Sequence, residues 1–519
     1  MGAARPPGIA AGAFLGRGAA LLVVGALALP VLALTSRAGD VGSLGPGDWA
    51  ALRFTLWQAA LSALLSVALA VPVARALARR RFPGRRALVV LLGAPFILPA
   101  IVAVLGLVAL LGRAGPVNAA LGWVGLPPLS IYGWHGVVLA HVFFNLPLAT
   151  RLVLQGWSAV PGERLRLAAS LGFTPADTLR FVEWPMLRAV VPGVAVVIFL
   201  VCTTSFAVAL ALGGGPRATT VELAIYQAFR FDFDLGRVAL LGGLQLTIGA
   251  LAAAATLRLA LPAGMGAGLD RIVPRWDSGS PWLRAQDAGA ILLAAAFLLL
   301  PMALVLVPGL RHLPELPGAV WAAAGRSLAI ALAAAAVTVA TAFAMARAVA
   351  VPRFARLVEM AGSLPVAASP LVLGAGLYLL LLPVTDPVAL ALPVTALVNV
   401  LLALPFALRA LVPAMRDLER DYGRLASSLG MGGAAWLRLV AWPRLRRPIG
   451  FAAGLAAALA AGDLGVIALF AAPDQATLPL VLYQLMGAYR MEEAKAAALL
   501  LVALSLGLFW LLERGGRGA

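Results

Sequence analysis

The chain has 519 residues, of which 62% are hydrophobic and only 12% charged, and its formal net charge is +18. A soluble protein of this length carries roughly a quarter charged residues, so lipid must solvate much of the surface and a large soluble helical protein is excluded. The loop-by-loop placement of the basic residues argues against nucleic acid as the reason for the positive charge.

Apolar stretches of about 18 to 24 residues, long enough to cross a hydrocarbon core of roughly 30 Å, recur along the chain. They run near Ala19–Thr35, Trp57–Leu77, Leu88–Leu111, Gly133–Thr150, Val190–Leu212 and Val238–Leu261. Six more follow near Ala288–Pro308, Ser327–Ala346, Leu364–Leu382, Val388–Leu408, Ile449–Phe470 and Ala494–Leu512. The first is long for a signal h-region and reads as a retained helix. With about twelve spans, alternate connections face alternate sides. One side holds Arg5, Arg17, the cluster Arg75, Arg79, Arg80, Arg81, Arg85 and Arg86, and the tail with Arg514 and Arg517. In all it takes 30 of the 40 basic residues. By the positive-inside rule that side is cytoplasmic and both termini lie there.

The chain is also duplicated. Residues 166–188, RLAASLGFTPADTLRFVEWPMLR, align without a gap on residues 424–446, RLASSLGMGGAAWLRLVAWPRLR, at a shift of 258 positions. The register extends upstream, with Leu146-Pro147 and Arg151 matching Leu404-Pro405 and Arg409. The expected architecture is an all-α polytopic membrane protein of two parallel six-helix repeats, residues 1–262 and 263–519, with a substrate path where the halves meet.

The repeated segment follows the fourth span of each half, near 157–189 and 413–447, and is patterned. Pro161–Leu171 suits a short helix that Gly172 can stop with a positive φ. Thr174-Pro175-Ala176-Asp177 then suits a fresh helix start, with a Thr cap, Pro at the first position and a carboxylate in the first turn. Helix, glycine turn, helix suits a rigid docking element. An amphipathic hairpin on the bilayer surface is the alternative; occurrence at the same place in both halves favours two equivalent partner sites.

These segments resemble the EAA-type loops of binding-protein-dependent ABC importer permeases. Ala168, Gly172, Val182, Trp184 and Pro185 fill the pattern, as do Ala426, Gly430, Val440, Trp442 and Pro443. At the usually acidic first position this chain has Arg166 and Arg424. Further segments, RRRFPGRRAL (79–88), LAHVFFNLPLATRL (139–152), LGGGPRATTVELAIYQA (212–228) and GDLGVIALF (462–470), are similar to thiamine-importer permeases, relatives of the fused ferric-iron importer permeases. The resemblance implies a type I permease pseudo-dimer in a bacterial inner membrane. It further implies two copies of a cytoplasmic ATPase that bind ATP and Mg, a periplasmic binding protein, and import of thiamine or its phosphates. Ferric iron is the alternative cargo.

The residues bear on one part of this independently. The chain's one lysine, Lys495, lies in MEEAKAAAL, so no GxxxxGK[ST] phosphate loop exists and the ATPase is expected in a partner. The single Cys202 lies in a span, and His135, His141 and His312 have no metal-ligand spacing. An ion-coupled secondary transporter would call for several intramembrane carboxylates or histidines; Asp463 and His141 are the candidates here. A polytopic enzyme would need a cluster of such groups.

Candidate path residues are Asp463, Ser205, Tyr226, Gln227, Tyr483 and Gln484. Asp463 is the one carboxylate within an apolar span. It fits a cap for a broken helix in Gly462-Asp463-Leu464-Gly465, or an arginine's partner, slightly better than a charge facing the path. Ala218-Thr219 before Tyr226-Gln227 repeats as Ala476-Thr477 before Tyr483-Gln484 in segments expected on the periplasmic side. These either line an outer gate or pack as re-entrant elements.

Overall fold

The computed structural model describes residues 7–37, 43–92, 97–213, 215–258, 279–349, 352–470 and 472–517. Arg5 and the expected boundary at 262/263 lie outside them. Among the described residues every regular element is helical. The first half contains α1 (Pro7–Arg37), α2 (Pro46–Arg79), α3 (Arg85–Leu91), α4 (Ala100–Leu111), α5 (Pro116–Trp123) and α6 (Trp134–Ser158). It continues through α7 (Gly162–Ser170), α8 (Pro175–Thr178), α9 (Trp184–Thr203), α10 (Ala207–Leu212), α11 (Val221–Gln227) and α12 (Leu235–Arg258). The second half contains α13 (Pro281–His312), α14 (Gly318–Val349), α15 (Pro352–Ser363), α16 (Pro370–Leu381) and α17 (Ala391–Ser428). It ends with α18 (Gly433–Trp436), α19 (Trp442–Ala461), α20 (Gly465–Phe470), α21 (Leu478–Gly487) and α22 (Met491–Arg517).

Eleven of these helical stretches are long and apolar enough to cross a membrane, or twelve if the bent pair Phe354–Ala367 and Pro370–Leu381 is one span. That pair is the expected ninth span, broken by 98°. Pro365 and Pro370 remove backbone donors, and Ser369 starts α16 by accepting the Val372 N–H at 3.2 Å. The expected tenth span also differs, because α17 runs on without interruption into the docking segment. Its counterpart α6 stops at Ser158, three residues before Pro161, which cannot donate and disfavours helix at the residue before it. Glu419 stands in place of that proline, within Arg416-Asp417-Leu418-Glu419-Arg420, where Arg420 pairs with Asp417 one turn away at 3.1 Å. Helices α9 and α10 do keep register, recurring as α19 and α20 at the same 258-residue shift.

The first helix of each half packs on the other half. Helix α1 lies against α14 and α16, while α13 lies against α2 and α4 as well as α22. Both exchanges turn on a glycine facing a proline carbonyl. A Cβ on Gly376 of α16 would sit 2.2 Å from the Pro30 oxygen of α1, and one on Gly106 of α4 would sit 2.9 Å from the Pro301 oxygen of α13. Between apolar helices in lipid, association rests on such close approach rather than on a hydrophobic gain. Ion pairs fasten the bundle's ends: Asp287 of α13 meets Arg80 at 2.6 Å and Arg79 at 3.5 Å, and Arg237 of α12 meets Asp48 of α2 at 2.8 Å.

Gly376→Ala should therefore overpack the α1–α16 crossing and cost about 1–3 kcal/mol. Gly325→Ala, at a helical site with open space around it, should be neutral or stabilising by up to about 1 kcal/mol. Thermal unfolding in detergent micelles separates the two; equal midpoints would show that the crossing is not close-packed.

Candidate coupling loops and translocation path

The docking segment is built by local chemistry. In the first half α7 ends in a left-handed glycine, Gly172 at φ +68°, with Phe173 N–H donating to the Ala168 carbonyl at 3.0 Å and Gly172 N–H to Ala169 at 3.1 Å. The second half repeats this with Gly430 at φ +61°, Met431 to Ala426 at 3.0 Å and Gly430 to Ser427 at 3.1 Å. This double bond pattern satisfies the last carbonyls of a helix and needs a residue that tolerates positive φ. After the turn, the Thr174 hydroxyl accepts the Asp177 N–H at 3.2 Å and the Asp177 carboxylate accepts the Thr174 N–H at 3.0 Å, a reciprocal cap that starts α8. Gly432 stands at that place in the second half with no side-chain cap. A π-helical turn, 179–183 and 437–441, leads each segment into the next span at Trp184-Pro185 and Trp442-Pro443.

Of the residues expected here, Ala168 and Ala426 are buried, Val182 and Val440 are half-buried, and Trp184, Pro185, Trp442 and Pro443 are exposed. Arg166 and Arg424 are also exposed, and Arg166 pairs with Glu163 at 2.8 Å. Apart from Trp184 and Trp442, motif matching missed the large apolar side chains exposed on these segments. Leu167, Leu171, Leu179, Phe181 and Trp184 in the first segment, and Leu425, Leu429, Leu437, Leu439 and Trp442 in the second, are 38–67% exposed. The second five stand 258 residues after the first five. Each segment is braced from above by an arginine. Arg75 at the end of α2 donates to buried Glu183 at 2.7 Å, whereas Arg347 near the end of α14 stacks over the Trp436 ring at 5.0 Å.

The path candidates gather where spans are interrupted. Helices α9 and α19 both stop short and resume as α10 and α20, with Ser205 in the first gap and Asp463, its counterpart at the 258-residue shift, in the second. Asp463 Oδ1 accepts the Gly465 N–H at 3.2 Å, so the carboxylate caps the restart. Its Oδ2 is buried and faces the Asn399 side chain of α17. The gap lies beside the start of α4, where a Cβ on Gly462 would be 3.1 Å from Pro99 Cβ. It also lies beside the start of α16, where one on Gly465 would be 3.8 Å from Pro370 Cβ.

The segments bearing Tyr226-Gln227 and Tyr483-Gln484 are not surface loops; they fold back into the bundle as α11 and α21. The Val221 N–H donates to Thr55 of α2 at 2.9 Å and the Leu478 N–H to Ser327 of α14 at 2.9 Å. Thr55 and Ser327 each stand nine residues into their helices, about 14 Å from the end remote from the docking segments. Tyr226 and Tyr483, one from each half, come within electrostatic reach of one another, while Gln227 and Gln484 are exposed. Rings continue the seam between halves: Phe206 and Tyr226 at 5.1 Å, Phe229 and Tyr378 at 5.3 Å, Tyr378 and Phe470 at 5.7 Å.

His141 and Cys202 lie elsewhere, in a buried network inside the first half. The His141 ring nitrogen Nδ1 is 2.7 Å from Gln58 Oε1, Gln58 donates to the Cys202 carbonyl at 3.1 Å, and Asn145 donates to the Cys202 sulfur at 3.3 Å. This is polar packing between α2, α6 and α9. One acid was missed as a candidate. Glu222, counted with the surface acids because its segment was expected outside the bilayer, is fully buried and accepts the Ser369 hydroxyl of the second half at 3.0 Å. Its place directly after the Thr220 cap, followed by an apolar run, was the available signal.

No family model matches the chain. Over 500 residues it is 40% identical to the thiamine transport system permease protein ThiP of Brucella abortus, covering 94% of this chain and 92% of the relative. Over 480 residues it is 40% identical to ThiP of Escherichia coli, covering 90% and 89%. A molybdenum transport system permease protein, ModB of Azotobacter vinelandii, is 30% identical over 182 residues, or 35% of this chain and 80% of the relative. Identity of this order along nearly the whole length places the chain in the thiamine transport system permease family.

Proposed function

We propose that this chain is the membrane-spanning subunit of an ATP-driven importer that carries thiamine from periplasm to cytoplasm across a bacterial inner membrane. In this reading residues 1–262 and 263–519 form two halves around one path, and both termini are cytoplasmic. Each half lowers one docking segment toward one copy of a cytoplasmic ATPase. ATP and Mg belong to that partner, and a periplasmic binding protein delivers the cargo. The observation that carries the reading is the matched pair of docking segments. The same five positions expose apolar side chains in each, rigidly presented by the same glycine turn, as two copies of one partner require. The full-length relatives, named for thiamine transport, support the cargo.

Mechanically, an ATPase that moves its groove moves the short helix seated in it. The π-helical turn joins that helix to α9 or α19 without a flexible gap, so the displacement reaches the interrupted spans. Ser205 and Asp463 sit where those spans break, and Tyr226, Gln227, Tyr483 and Gln484 belong to the helices folded in beside them; together they are the residues we assign to the path.

Reconstitution with the two partners should give ATP-dependent accumulation of thiamine and none of ferric ion. Accumulation of iron instead, or of neither, overturns the assignment. Gly172→Ala with Gly430→Ala forces Cβ atoms into left-handed backbone at about 1–2 kcal/mol each. The pair should cut retention of the ATPase by the purified chain at least tenfold. Asn at both sites, which tolerates that backbone, should restore most of it; undiminished retention in the Ala pair sinks the docking role. Asp463→Asn keeps an oxygen for the Gly465 N–H, so thiamine uptake should fall less than about threefold. A larger loss at normal expression would put its charge, not its cap, in the transport step.

A further inference from the structure

Helices α11 and α21 enter the bundle by the same device, yet they differ at the residue after the anchored N–H. Thr55 holds Val221 and Ser327 holds Leu478, so Glu222 in one corresponds to Pro479 in the other. The second half builds this element without a carboxylate, and α4 starts after Pro99 with no acid in the role Glu222 plays beside α16. The fold does not demand the charge. Glu222 is wholly buried, one of its oxygens accepts the Ser369 hydroxyl, and the other has no partner among the described residues. No described basic side chain pairs with it. A lone carboxylate buried in this way is costly in its charged form unless a cation meets it, and the start of α16 offsets only part of that cost.

Aromatic side chains lie along the same element as Glu222. Ser369 belongs to the second half, so the carboxylate sits on the seam between halves. One turn along the same face of α11 stands Tyr226, whose ring borders Phe206 at 5.1 Å and Phe231 at 5.8 Å and lies near Tyr483. An aromatic face beside a carboxylate attracts an organic cation through both the ring quadrupole and the charge.

Resting on the thiamine reading above, we propose that Glu222 is the counter-charge that receives the thiazolium ring of thiamine as it crosses the seam, with Tyr226 beside the ring and Ser369 orienting the carboxylate. Glu222 is thus a specificity-determining residue for a permanently cationic heteroaromatic cargo, and the site is one-sided in an otherwise two-fold bundle.

The test measures initial uptake, by the complete reconstituted transporter, of thiamine and of an analogue whose thiazolium is replaced by an uncharged ring. The binding protein's own preference is common to all variants, so a change in the ratio belongs to this chain. Glu222→Gln should lower the thiamine-to-neutral ratio at least tenfold, and Glu222→Asp should keep it within about threefold of wild type. If both substrates slow together in Glu222→Gln and the ratio holds, the carboxylate only supports the α16 contact and the proposal fails. Should Glu222→Gln not assemble, the isosteric pair Glu222→Asp and Glu222→Asn reads the same ratio; equal values in that pair overturn the assignment. A wild-type complex that takes up no thiamine overturns the transport reading itself, and Glu222's role with it.

Discussion

In hydrocarbon an unpaired backbone N–H or C=O has no water to turn to, so a chain may leave the helix only where protein supplies a partner. This chain leaves it repeatedly, and several of the described breaks are met by a side chain. Where α9 stops, Gln58 donates to the Cys202 carbonyl and Gln245 to the Thr203 carbonyl at 2.9 Å. Where α16 begins, the Ser369 hydroxyl accepts a backbone N–H; where α20 begins, Asp463 does so; where α11 and α21 begin, Thr55 and Ser327 reach across from neighbouring spans. The polar residues of this apolar chain are placed largely by that requirement.

The exchange of first helices rests instead on close approach, with the carbonyls of Pro30 and Pro301 each lying against a glycine of the opposite half. The halves are therefore not two modules resting side by side. Each is packed against the other's first helix.

Some departures from two-fold symmetry have chemical consequences. Pro161 interrupts the first docking arm while Glu419 lets the second run straight. Arg75 grips a carboxylate while Arg347 stacks on a tryptophan. Glu222 in α11 corresponds to Pro479 in α21. A two-fold scaffold around one asymmetric cargo has to break its symmetry somewhere near the path, and Glu222 is a break that packing does not require.

What was legible beforehand was whatever depends on neighbours in sequence. Hydropathy over some twenty residues marks a span, arginine counts mark the sides, and the turn at Gly172 with its cap at Thr174 follows from bonds spanning six residues. The kink of the ninth span and the uninterrupted α17 were written in Pro365, Pro370 and the proline-free stretch 416–420, but hydropathy averages over such details. The burial of α11 and α21, the packing of Phe229 on Tyr378 and the partner of Glu222 could not be read in this way. They depend on contacts between residues more than a hundred positions apart, such as Thr55 with Val221 and Ser369 with Glu222. Periodicity carries no information about which helix a given face will meet, so only the packed bundle decided which acids are capped and which is left with an oxygen to spare.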